Sequence, residues 1–172
     1  MSLGLNCNIE DSLTNSVVSK ASNDTNLNIL KLAIEKNPRA LNIPGTDGWY
    51  PIHNTVFFGS EEQLKFLLIS GVKLEALTAA YQTILHVAVL SNKLQTVKEI
   101  YKLYPDALNI QTKSGNTPLH NALMKNFMDI AEFLCEQGAD INLKNNDGQG
   151  LAELAKFYNS TPMYELLKKY KK

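Results

Sequence analysis

Three histidines stand at positions 53, 86 and 120, intervals of 33 and 34 residues. Imidazole can move protons near neutral pH or ligate a transition metal. With Asp47 and Asp147, His53 could form an acid–base groove if these residues converged. A metal site would need several such ligands at one point, yet successive members of a repeating series lie about one packed-helix spacing apart, roughly 10 Å. The even spacing therefore argues for a shared structural role. Neither cysteine supplies an alternative, because Cys7 and Cys135 form no CxxC pair and show no metal-ligand spacing. No GxSxG, phosphate-cradling glycine loop or HExxH motif is present. No metal, cofactor or small-molecule substrate is expected.

The elements around each histidine repeat as well. Gly48-Trp-Tyr-Pro-Ile-His53, Tyr81-Gln-Thr-Ile-Leu-His86 and Gly115-Asn-Thr-Pro-Leu-His120 share one layout, and a degenerate copy runs from Gly148 through Glu153. Thr83 and Thr117 read as helix N-caps, and Pro51 and Pro118 suit the first helical position. Each short helix is expected to stop at Gly59, Asn92, Asn126 or Asn159, types that accept a left-handed backbone. A second helix carries Leu64, Leu67 and Leu68, then Val97 and Ile100, then Ile130, Phe133 and Leu134, ending at Ser70-Gly71 and Gln137-Gly138. A cruder first unit places Val17 and Val18 on one helix and Leu27, Leu30 and Ile34 on the next. Its exit, Pro38 to Ile43, matches Pro105 to Ile110. A fixed period of this size predicts stacked helical hairpins.

Thr117-Pro-Leu-His120 followed by Gly138-Ala-Asp-Ile-Asn142 closely resembles the ankyrin repeat. The resemblance covers residues 13–170 as five units, the first and last degenerate. It implies an all-α ankyrin-repeat solenoid of helix-turn-helix units joined by β-turn hairpin loops. The units run over about 13–44, 45–77, 78–111, 112–144 and 145–172, one domain after a polar leader over 1–12. It also implies that His53, His86 and His120 tie neighbouring hairpins together, and that Gly48, Gly115 and Gly148 shape the loop tips. Tyr81 stands where the tip glycine should be, and Glu153 replaces the histidine of the last unit.

The family's partner-facing positions are the loop tips and the ends of the first helices, on a concave side. Here they hold Trp49, Phe57, Phe58, Tyr81, Leu90, Met124, Lys125, Phe157 and Tyr158, an apolar strip able to anchor a partner. The alternative is packing, of Leu90 and Met124 between helices and of Trp49 on Tyr50 or Tyr81. Lys113, Asn116, Asn145, Asp147 and Gln149 would form a polar rim.

The bulk numbers narrow the partner. Seventeen basic and seventeen acidic residues cancel, which gives no electrostatic basis for nucleic-acid binding. The cationic end at Lys168, Lys169, Lys171 and Lys172 suits a final helix dipole. No apolar run reaches the roughly 20 residues of a membrane span, and the N-terminus lacks a secretory pattern. A monomeric, non-catalytic protein-binding module of a reducing cytosol is expected. A subunit of a larger assembly, or a bacterial effector in a host cytosol, is the alternative; an enzyme with a groove site is the remote one.

Overall fold

The computed structural model describes residues 17–45 and 48–171, so the leader over 1–12, Cys7, Asp47 and Lys172 lie outside the described residues. The chain divides into two compact units, Met1–Ala79 and Ala80–Lys172. In the first, helix α1 (residues 17–21) and α2 (Leu27–Lys36) lead through a 3₁₀ turn (Pro38–Asn42) to α3 (Pro51–Phe58) and α4 (Glu61–Ile69). The second begins with α5 (Ile84–Leu90), α6 (Leu94–Leu103) and a matching 3₁₀ turn (Pro105–Asn109). It continues with α7 (Pro118–Met124), α8 (Met128–Glu136), α9 (Leu151–Phe157) and α10 (Thr161–Tyr170). Among the described residues the only β pairing is an isolated antiparallel bridge between Lys144 and Gly150, so the class is all-α.

Within each unit successive hairpins pack together. In the second unit α5 packs on α6 and α7, α7 on α8 and α9, and α8 on α6 and α10. The apolar stripes anticipated from spacing form this core: Leu64, Leu67, Val97, Ile100, Ile130 and Leu134 are all buried. Leu68 and Phe133 are only half-buried, and the Phe133 ring meets Tyr101 edge-on at 5.7 Å. At the exits, Asn42 accepts the Lys73 N–H at 2.8 Å and Asn109 accepts the Asp140 N–H at 2.9 Å. These asparagines make the same tie in both units.

The loop tips also share one hydrogen-bond pattern. Gly45, Thr112 and Asn145 each donate a backbone N–H to the carbonyl four residues on, at Trp49, Asn116 and Gln149. Tip glycines Gly48, Gly115 and Gly148 have φ of 78°, 79° and 72°. Tyr81 keeps that conformation, with φ of 60°, although a side chain there crowds its own backbone. Tyr81→Gly is therefore expected to be more stable than Tyr81→Ala by about 1 kcal/mol, because only glycine relieves the crowding. Urea midpoints of the two variants check this; equal midpoints would refute it.

The first-helix ends differ in one place from expectation. Asn92, Asn126 and Asn159 are left-handed, at φ 54°, 57° and 51°. Gly59 is not: its backbone is extended, at φ −72° and ψ 179°. Glycine is needed there for space, since a Cβ would lie 2.7 Å from the Thr55 carbonyl and 2.9 Å from the Gln63 side-chain oxygen.

Candidate partner-binding faces

Four first helices share one cap, in which the side chain three residues on accepts the N–H of the capping residue, and in two of them the capping threonine returns the bond. The Thr83 hydroxyl accepts the His86 N–H at 3.4 Å, while His86 Nδ1 accepts the Thr83 N–H at 3.2 Å. Thr117 and His120 repeat it, both at 3.3 Å. At α3, His53 Nδ1 accepts the Tyr50 N–H at 3.2 Å. In the last repeat Glu153 takes over, its carboxylate accepting the Gly150 N–H at 3.1 Å. Since Nδ1 accepts, the ring proton sits on Nε2. His86 Nε2 then donates to the Asn116 carbonyl at 3.1 Å, tying one hairpin to the next.

All three imidazoles are buried. Burial pushes His53 and His86 down to about 4, opposed by the carbonyls of Ala76 and Asn116. His120 is lowered for the same reason, against the Gln149 carbonyl. Nε2 of His53 and of His120 makes no hydrogen bond of normal geometry, so their ties to these carbonyls are looser than that of His86. Nδ1 of each ring is thus engaged in the helix cap, and burial favours the neutral form. Asp147 is exposed at its loop tip, and Asp47 lies outside the described residues. Burial also raises the Cys135 thiol to about 11, which leaves little nucleophilic thiolate.

The residues expected to meet a partner fall into two groups. In the first unit, Trp49 is half-buried and packs on Phe57 and Phe58, at ring distances of 5.8 and 6.5 Å, and beside His53 at 6.2 Å. Tyr50 turns instead to His53, at 5.8 Å. Phe57 and Phe58 touch at 4.6 Å, and Phe58 stays 49% exposed. Trp49, Phe57 and Phe58 thus form one aromatic cluster, half packed and half open.

In the second unit Leu90, Met124 and Phe157 are the last residues of α5, α7 and α9. Their exposure grows along the series: Leu90 is half-buried, Met124 exposed and Phe157 71% exposed. Tyr158 stands perpendicular to Phe157 at 5.2 Å, and Met124 and Tyr158 border a cleft with Pro162. Lys125 is exposed beside Met124. The open Tyr81 ring carries the Lys113 ammonium at 4.9 Å.

The polar rim residues separate by what they bond. Lys113 and Asp147 are exposed. Asn145 accepts the Gln149 and Asp147 N–H groups at 3.0 and 3.1 Å and donates to Gln149 Oε1 at 3.3 Å, so Asn145 and Gln149 build the tip itself. Asn116 donates to the Ser114 hydroxyl at 3.1 Å. Sequence reasoning missed Asn54 and Gln63. Asn54 donates to the Ser19 hydroxyl at 2.8 Å, and Gln63 to the Asp24 carbonyl at 2.6 Å, inside the first unit. Buried polar side chains on otherwise apolar stripes were the available signal.

Stacked hairpins with a common helix cap and a common tip define a helical repeat protein. A profile of ankyrin repeats, in three copies, matches residues 55–145, and the chain belongs to the ankyrin-repeat family. It is 32% identical over 139 residues to the probable 26S proteasome regulatory subunit p28 of Saccharomyces cerevisiae, covering 78% of this chain and 60% of that one. It is 25% identical to the target of rapamycin complex 2 subunit AVO2 of the same yeast, over 83% of this chain and 34% of that protein. The phosphocholine transferase AnkX of Legionella pneumophila is 25% identical over 88% of this chain and 18% of its own length. The chain thus spans less than two thirds of each relative. Among the described residues, no helix is long and apolar enough to cross a membrane.

Proposed function

We propose that this chain is a non-catalytic protein-interaction module, monomeric and cytosolic, which binds a partner protein through its first-helix ends and loop tips. One observation carries the reading: Phe58, Met124, Phe157 and Tyr158 are large, apolar and exposed where helix α3, α7 or α9 ends. Uncovered aromatic side chains at the mouth of a packed cluster are the type of residue that anchors an interface. Tyr81 supports it, because a bulky residue held at positive φ stores strain of the kind found at functional positions. Two relatives are named as subunits of larger assemblies, the 26S proteasome and target of rapamycin complex 2, which fits a docking role.

The test is capture of a stoichiometric partner by the full chain. Trp49→Ala and Phe58→Ala are each expected to weaken that partner by about 2 kcal/mol, near thirtyfold, as a central anchor does. Helix content should stay unchanged. Unaltered affinity in both variants would remove the aromatic cluster from the interface. The likeness to AnkX favours one second reading, an effector delivered into a host cell, for which translocation of a fused reporter is the test.

A further inference from the structure

The first repeat leaves open a face that the second, fourth and fifth repeats close. Aligning the two 3₁₀ turns places Val17 level with Pro51, Ile84, Pro118 and Leu151, all of which are buried. On the second helices, Ile29 is level with Gln63, Ile130 and Met163, which are buried, and with Thr96, which is half-buried. Leu32 is level with Phe66, Glu99, Phe133 and Leu166, each at least half-buried. In the second, fourth and fifth repeats those positions look back at the preceding repeat. Gln63 donates to carbonyls of Ala21 and Asp24, Phe133 meets Tyr101 edge-on, and α10, with Met163 and Leu166, packs on α8. In the first repeat the same positions keep stacking residues, yet Val17, Ile29 and Leu32 are 49%, 45% and 56% exposed. With Ala33 and Lys36 they line an apolar groove.

We propose that residues 1–16 of the chain itself cover this groove and act as the cap of the array. These residues run directly into Val17, at one end of the groove. Leu5, Ile9 and Leu13 precede Val17 at four-residue intervals, a spacing that puts all four on one side of a helix. Sixteen residues would span roughly 24 Å as a helix, longer than the ten-residue α2 beside which they must lie. Charge agrees. The segment carries Glu10 and Asp11 and no Lys or Arg, whereas α1 and α2 present Lys20, Lys31 and Lys36 against Glu35. Covering apolar positions with an acid-faced segment is what a terminal cap of a repeat array must do.

Amide hydrogen exchange on the full 172-residue chain tests this. Amides over residues 5–16 should exchange at least about tenfold more slowly than free chain, at any protein concentration. Leu32→Glu and Ile29→Glu should each abolish the slowing while α8 keeps its own protection. If an α2 variant loses protection in α8, Leu13→Asn supplies the same comparison from the other side. Absence of slowing in the parent chain, slowing that survives these substitutions, or slowing that fades on dilution would each overturn the proposal. The last outcome would assign the groove to a second copy.

Discussion

Deleting residues 145–172 is expected to turn a soluble, cooperatively melting protein into an aggregating one. These residues supply α9 and α10, which bury Leu151, Leu154, Met163, Leu166 and Leu167 against α7 and α8. A fully buried aliphatic side chain is worth about 1.5–3 kcal/mol. Losing five removes an amount comparable with the whole stability of a domain, about 5–15 kcal/mol. The faces left behind include Leu119, Leu123, Ile130 and Leu134, all buried in the intact chain. Light scattering and a urea titration check the outcome. A truncated chain that stays monomeric and melts in one sharp step would show that the second unit does not depend on its last hairpin.

Acidification is expected to unfold the protein between about pH 6 and pH 4. The unfolded chain binds protons at its histidines near pH 6.5, whereas His53 and His86 in the folded chain stay neutral down to about 4. Between those values the unfolded state holds more protons, so stability is full above pH 6.5 and falls with each step below it. Each of the two contributes a loss of about 3 kcal/mol by pH 4, and His120, lowered as well, adds to it. Urea unfolding at a series of pH values gives the slope. His86→Gln keeps an acceptor for the Thr83 N–H, as Gln63 does for Ser60 at 3.0 Å. It should reduce the slope between pH 6 and 5 by about one proton, or about 1.4 kcal/mol per pH unit. An unchanged slope would mean that His86 does not control the acid limit.

Much of this arrangement can be read without coordinates, and the reason is local. A threonine cap, a proline one residue on and an asparagine at the helix end each act over a few residues, so Thr117, Pro118 and Asn126 announce α7 unaided. The recurrence of PRALN and PDALN foretells two matching exits for the same reason, and both fold as 3₁₀ turns. What escapes the sequence is anything decided by a neighbour. Gly59 has the letter of a left-handed stop, but its backbone is extended, and the Thr55 carbonyl and the Gln63 side chain leave no room there for a Cβ. Periodicity marks Phe133 as apolar-faced without saying that it meets the Tyr101 ring edge-on and stays half open. The candidate site shows the same limit. Trp49 and Phe58 could be named from their repeat positions, whereas their mutual packing depends on how far α3 carries Phe57 round toward the tip.

The second unit strings its tips together through the backbone: the Lys113 N–H meets the Ala80 carbonyl and the Asn146 N–H meets that of Ser114, both at 3.0 Å. Side chains are not consumed by these links. The tips therefore work as a ruler with fixed gradations and interchangeable marks. Substituting Tyr81, Lys113 or Asp147 alters what is written at a gradation and leaves the distance to the next one alone, which lets recognition drift while the scaffold stands still.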